Sequence, residues 1–340
     1  MEKLFIISNE SIFKYEKNFF CDNIDLKSTP EGLSTKFQIN IIGRLSQKIR
    51  SHRISIKNIK TYSNIFTYIS GIFSSFKDED TKYLIISISP FTFAACILIK
   101  LFKKKPIVYL RSDGYGEYKA ILGFFGPAIY HLMFSIVSKI SLLVSCRKYI
   151  LRNKPGEILS PSQITTPWLM NHKEVVINKP KLLYVGRIKK EKGIYSLLSL
   201  VKEDNTDLTL SIVGAEKNLL TPIVQNNVTV HEVENNEQNL IKFYDDHDIF
   251  VLPSYTEGHP MALLEALSRL RPVIIFKDID HVVGNKKGIF IADRNSISFF
   301  EKINYIKKNY LNIQQEMKMN KLPTKEEFLS KFSDLISKSS

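Results

Sequence analysis

Short runs of consecutive apolar residues alternate along the chain with longer stretches in which apolar residues recur every three or four positions. In the first half the runs predict strands at 3–8 (KLFIIS), 36–42 (KFQINII), 83–88 (YLIISI), 106–111 (PIVYLR) and 141–145 (SLLVS), with helices near 62–76, 91–104 and 119–139. In the second half strands are expected at 181–186, 208–214, 228–232, 248–253, 272–276 and 288–292, again separated by helices. Strands this apolar need cover on both faces, and their alternation with helices predicts parallel sheets. At 340 residues the chain exceeds one ordinary core, so two doubly wound, Rossmann-like α/β domains are expected. The first would span 1–165 and the second 176–322, joined through a segment containing Pro161, Pro167 and Pro180. A terminal amphipathic helix, 323–340, opens at Pro323-Thr324 and is free to pack back on the first domain. No internal repeat or low-complexity tract interrupts this pattern.

Charge changes the picture more than composition does. Residues 1–175 hold 25 Lys+Arg against 13 Asp+Glu, whereas residues 176–340 hold 23 against 21, so nearly all of the net +14 lies in the first half. A basic domain seeks an anionic partner, and no nucleic-acid motif accompanies the charge; an anionic membrane surface is the expected partner and nucleic acid is not. The three cysteines have no metal-ligand spacing and read as free thiols in a reducing, cytoplasmic setting. The opening MEKLFIISNES reads as a strand without a secretory pattern. The apolar stretch 120–138 is nearly long enough to span a bilayer, yet Pro127 interrupts it between Gly123 and Gly126 and it leads into a strand. It is read as a helix buried in the core or resting one face on lipid beside the basic LFKKK of 101–105.

Two motifs carry candidate chemistry. In LLYVGRIKKEKG a strand ends at Gly186, and Arg187 and Lys192 flank a short loop before a helix starting near Gly193. Cations at a strand's carboxyl end beside a helix N-terminus suit a phosphate; a solvated basic turn is the alternative. In DIFVLPSYTEGHPMALLEALSRL a strand and loop lead to a helix with Pro260 at its first position. Leu263, Leu264, Leu267 and Leu270 form its apolar stripe, which places Glu265 on the opposite, solvent side with Arg269 as a salt-bridge partner. Glu257 lies outside the strand's carboxyl end, where open α/β sheets bind ligands, or else simply favours the positive start of the helix.

Together these motifs resemble the second domain of retaining family 4 glycosyltransferases of the GT-B fold. YVGRIKKEKG is followed about 70 residues later by VLPSYTEGHPMALLEAL, and Glu257 and Glu265 meet the family's E-x7-E spacing. The resemblance implies two Rossmann-like domains facing a central cleft and transfer of a sugar from a nucleotide-diphosphate sugar, with no metal or resident cofactor. It implies that Arg187 and Lys192 neutralise the diphosphate, that Glu257 holds the donor sugar and that Glu265 holds the ribose. Gly186, Gly258, His259, Pro260, Met261 and Ala262 would line the sugar and phosphate, and Glu232 and Val233 the base. The acceptor implied is a lipid-linked glycan or oligosaccharide in cell-surface polysaccharide assembly at the inner face of the membrane.

The first domain departs from that family. Many members carry a glycine-rich loop after the first strand, where this chain has ISNESIF, and a histidine where it has Arg111-Ser112-Asp113. Arg111 and Asp113 are therefore candidates on the acceptor side, with an Asp113-Gly114 turn as the alternative. In the second domain IVGAEKN lacks the second glycine common after that strand. His231 and His281 read as structural, and no histidine forms a metal set. A nucleotide-sugar epimerase of the same architecture and a non-catalytic sugar-nucleotide or membrane-binding subunit are the rival readings.

Overall fold

A computed structural model describes residues 1–77, 80–173, 177–202, 208–215 and 226–338. Two compact units result: Met1–Pro161 with the terminal helix from Glu326 onward, and Ser162–Lys325. The division falls at Pro161, ahead of the expected 165–176 junction, because Ile164 and Trp168 are already buried in the second unit's core.

The strands of the first unit are β1 (Glu2–Tyr15), β2 (Asn18–Cys21), β3 (Phe37–Ser46), β4 (His52–Ile54), β5 (Ile59–Tyr62), β6 (Thr81–Ile86), β7 (Pro106–Leu110), β8 (Leu142–Ser145) and β9 (Glu157–Ile158). Between them run α1 (Ile24–Leu33), α2 (Ile65–Phe73), α3 (Pro90–Leu101), α4 (Gly114–Leu122) and α5 (Gly126–Ile140). The sheet is mixed, which corrects the all-parallel expectation: β2 pairs antiparallel with both β1 and β4, and the other ladders are parallel. Strand alternation divides its apolar residues between two cores. Ile7, Tyr83, Ile85, Val108 and Leu143 face one core with α2, α3 and α5, while Ile6, Leu84, Ile86 and Val144 face the other. Into that second core α10 (Lys325–Lys338) inserts Phe328, Phe332 and Ile336. Cys21, Cys96 and Cys146 are free and buried, and burial pushes their thiols up to about 12, 12 and 11.

Two local outcomes differ from the pattern. ISNESIF forms no loop; β1 runs through it to Tyr15, shifts register between Ile7 and Ser11, and turns back into β2. The apolar stretch expected as one helix is two. Gly123, at φ +65°, breaks it, and α4 folds back on α5 so that Tyr115 meets Tyr130 and His131 and Tyr118 meets Tyr130. Gly126 makes that return possible, because a Cβ there would collide with the Tyr118 carbonyl.

The second unit is a six-stranded parallel sheet of β10 (Lys181–Val185), β11 (Thr209–Ala215), β12 (Val228–Glu232), β13 (Ile249–Leu252), β14 (Val273–Phe276) and β15 (Ile289–Ala292), in spatial order 12-11-10-13-14-15. Its helices are α6 (Ile194–Lys202), α7 (Glu237–Asp245), α8 (Met261–Ser268) and α9 (Ser296–Met317). All four strands β10, β11, β13 and β14 are almost wholly buried, as their unbroken apolar runs require.

Candidate active site

The chain moves from β10 outward to β11 and β12, then returns to the other side of β10 to build β13, β14 and β15. This reversal of strand order leaves the loops after β10 and β13 side by side at the carboxyl edge, the position where open α/β sheets take ligands. The two loops are stitched together. Tyr255 N donates to the Glu191 carbonyl at 3.0 Å, and Gly193 lies against the Pro253 carbonyl so closely that a Cβ would collide with it. Gly193 also sits at φ +67°, closing the turn Lys190–Lys192 that starts α6; both constraints select glycine.

Across this seam Lys192 Nζ meets Glu257 Oε1 at 2.7 Å, and Ser254 Oγ donates to the same oxygen at 2.6 Å. Both side chains are largely covered. Arg187, in contrast, is exposed, and among the described residues its guanidinium has no carboxylate partner; its carbonyl accepts from Tyr184 Oη at 2.9 Å, which fixes the turn after Gly186. His281 Nε2 donates to the Glu257 carbonyl at 2.8 Å, so this histidine braces the loop from behind. The arrangement sets one free cation and one carboxylate-paired cation beside a carboxylate. Such a site can receive a diphosphate and a hydroxyl-bearing group together.

The helix that follows departs from the wheel reading. Pro260 occupies the N-cap position, φ −73° and ψ +109°, so the helix begins at Met261 and Pro260 stands just outside it. Gly258, His259, Met261 and Ala262 are half-buried around that start. Leu270 lies beyond the helix at φ +56°. Glu265 is buried, and the expectation of a solvent-facing residue is overturned. A wheel assumes one covered side, but every residue from Leu263 to Ser268 is buried, so α8 has no solvent side at its middle. Tyr244 Oη on α7 donates to Glu265 Oε2 at 2.8 Å, and burial pushes the carboxyl up to about 7. Arg269 does not reach Glu265. It grips Asp245 with two bonds of 2.9 and 2.8 Å and donates to the carbonyls of Trp168, Met170 and Asn171, holding the segment that opens this unit.

Glu232 and Val233 lie at the exposed carboxyl end of β12, the edge strand, two strands from β10. The structure thus gathers Gly186, Arg187, Lys192 and Glu257 at one seam, with Gly258–Ala262 leading from it into α8. In IVGAEKN, residues through Ala215 belong to β11 and the rest lies outside the described residues. In the first unit Arg111 and Asp113 each have an internal task. Arg111 reaches Glu10 and Asp25 at 3.2 and 3.4 Å; Asp113 caps α4 through Tyr115 N and pairs with Arg152 at 2.9 Å. Glu10 lies within the β1 run, in the ISNESIF stretch.

Three residues escaped sequence reasoning. Arg294 donates to the Pro253 carbonyl at 2.9 Å and to Asp278 at 2.6 Å, and its guanidinium lies 4.0 Å from the Tyr255 ring centre. It is a cation just past a strand's carboxyl end, the same signal that marks Arg187, so the pattern held it. Ser254 belongs to the quoted motif but has no distinguishing spacing. Tyr244 looks like any core aromatic, and only the fold brings it to Glu265.

The family model for glycosyl transferases group 1 matches residues 170–322. Among curated proteins, a candidate teichuronic acid biosynthesis glycosyltransferase, TuaC, of Bacillus subtilis (strain 168) is 36% identical over 97 residues, 27% of this chain and 23% of that protein. An uncharacterised glycosyltransferase of Haemophilus influenzae is 26% identical over 184 residues, 49% of this chain and 50% of that one. The chain therefore spans a quarter to a half of the length of these relatives. Among solved structures, Anabaena HepE in complex with UDP and glucose superposes with a TM-score of 0.71 at 11% identity, covering 99% of this chain and 100% of that one. WaaG, a glycosyltransferase involved in lipopolysaccharide biosynthesis, gives 0.64 at 12% identity, covering 98% and 99%. At such identities the likeness carries the fold alone. The chain has the two-domain GT-B fold, and its second unit, which holds the Lys192–Glu257 seam, is the part that matches the glycosyl transferases group 1 family.

Proposed function

We propose that the protein is a retaining glycosyltransferase. It would move one sugar from a nucleotide-diphosphate sugar to a hydroxyl of a lipid-linked or oligosaccharide acceptor in cell-surface polysaccharide assembly, at the inner face of the cell membrane. The observation that carries this reading is the seam itself: Lys192 meets Glu257 at the switch point of the unit that matches the group 1 family, with exposed Arg187 on the same loop as Lys192. The named roles of TuaC and WaaG support the polysaccharide setting.

Breaking a nucleotide–sugar bond develops negative charge on the departing phosphate. Arg187 and Lys192 stabilise that charge from fixed positions, and Arg294 keeps the Pro253–Glu257 loop in place behind them. Glu257, released from Lys192 as the diphosphate takes the ammonium, accepts hydroxyls of the donor sugar. Glu265 accepts the ribose hydroxyls. No nucleophile is invoked; the departing phosphate takes the acceptor's proton. Transfer or hydrolysis assayed with UDP-, GDP- and ADP-sugars tests the reading. Glu257→Gln and Arg187→Ala should each lower kcat/KM by about 10²- to 10³-fold; wild-type turnover in either variant refutes the site assignment. Because Glu265 holds its proton up to about pH 7, the donor KM should rise as pH falls below that value, where the carboxyl can no longer accept two hydroxyl protons.

A further inference from the structure

The helical layer over one face of the first unit's sheet is apolar on its outside as well as its inside. At the tip of the α4–α5 hairpin Phe124 is 90% exposed, Ile121 74% and Phe125 71%, and the two phenylalanine rings touch each other, 5.6 Å between centres. Ile129, Leu132 and Ile136 extend the exposed stripe along α5 at helical spacing, while Tyr130, Met133, Phe134 and Val137 on its other side fill the core. Leu101 and Phe102, at the end of the neighbouring α3, are exposed too. Exposed apolar residues scattered singly are ordinary, but a continuous set ending in a protruding aromatic tip marks a surface that is covered by something.

Charge says what covers it. Residues 100–140 carry seven Lys and Arg against two carboxylates, Asp113 and Glu117, and Asp113 is already paired with Arg152. Lys100 lies in the last turn of α3 and Lys103–Lys105 follow it, and exposed Lys119 lies two residues before Ile121. A second copy of the same surface would bring like charges together, whereas an apolar stripe with Lys119 beside its aromatic tip and Lys103–Lys105 at its far end, where the start of β7 pairs with the start of β8, matches anionic headgroups above an acyl layer. The stretch 114–140 is long and apolar enough by composition to cross a membrane. Its hairpin shape removes that option: at 1.5 Å per residue α4 and α5 reach only ~14 and ~22 Å, short of a ~30 Å hydrocarbon core.

We propose that residues 121–125 and the outer stripe of α5 seat the protein in the headgroup–acyl boundary of an anionic bilayer, with Lys119 and the Lys100–Lys105 cluster on lipid phosphates. The full chain should co-sediment with vesicles of phosphatidylcholine and phosphatidylglycerol (1:1) and bind vesicles of phosphatidylcholine alone at least ~10-fold more weakly. The double variant Phe124→Ser/Phe125→Ser should lose ~10-fold or more of the anionic-vesicle binding without a change in circular-dichroism melting, because both rings are outside the core. Raising salt to 0.5 M should weaken wild-type binding but leave a remnant that the double variant lacks. Wild-type-like binding by the double variant overturns the proposal. So does a wild-type dimer that the double variant converts to monomer while neither binds vesicles, since the occupant is then a second copy. The binding needs no donor sugar, so it stands or falls separately from the glycosyl-transfer reading.

Discussion

Two helical segments of this protein are written in nearly the same alphabet and end in opposite surroundings. α8 is apolar apart from Glu265 and Ser268, and it sinks so completely into the second unit that its glutamate is buried with it. The α4–α5 hairpin is as apolar through its bend and along α5, yet its tip residues Ile121, Phe124 and Phe125 are 74%, 90% and 71% exposed. Apolar composition states that a surface avoids bulk water. It does not state whether the covering comes from the same chain. In α8 the cover is internal, from the flanking strands, Tyr244 and the 167–171 segment; at the hairpin tip Phe124 is 90% exposed among the described residues of the first unit.

The contrast can be broken at either end. The largest effect is expected at the anchor of the buried end. Arg269→Ala leaves the carbonyls of Trp168, Met170 and Asn171 unsatisfied and Asp245 with only Arg271 opposite it in a dry site, and should destabilise the protein by about 3–5 kcal/mol in urea unfolding; a loss under ~1 kcal/mol would mean the 167–171 segment is held by packing. Next comes the pH dependence of Glu265. Its folded-state value of about 7 lies above the ordinary 4.5, so the folded state binds the extra proton between those values. The corresponding stability is fully present below pH about 4.5 and is lost as pH rises through about 7. Glu265→Gln removes this dependence, so variant-minus-wild-type stability should climb by on the order of 3 kcal/mol between pH 4.5 and 8. A flat difference would show that the carboxyl is ionised throughout. Tyr244→Phe deletes the hydroxyl that donates to that carboxyl and should cost about 1–2 kcal/mol together with a higher donor KM; loss of stability alone, with KM unchanged, would reduce Tyr244 to packing. Smallest is the exposed end: Phe124→Ser should stay within about 0.5 kcal/mol of wild type in free solution. A larger loss would mean the tip is covered by the protein itself.

The same contrast explains what was legible in the sequence. Strands β10, β13 and β14 could be read because burial on both faces leaves an unbroken apolar run and no choice of register. β2 and β4 could not, since four and three residues on the antiparallel side of a mixed sheet carry almost no periodic signal. Of the site, Arg187, Lys192 and Glu257 were legible as residues at strand ends, where chemistry and position coincide. Glu265 was misplaced by the wheel, because its cover includes Tyr244, 21 positions earlier on another helix. Gly123 and Pro127 announced a break, but the folding back of α4 depends on Gly126 meeting the Tyr118 carbonyl, a tertiary fact.

The bond between Lys192 and Glu257 has a consequence for ionic strength. With its ammonium already neutralised, Lys192 presents little net field to an approaching donor, and the long-range attraction of this loop comes from exposed Arg187, Lys189 and Lys190. Donor association should therefore respond to added salt without a share from Lys192, and Glu257→Gln, by freeing that ammonium, should steepen the response even as it removes the sugar's anchor.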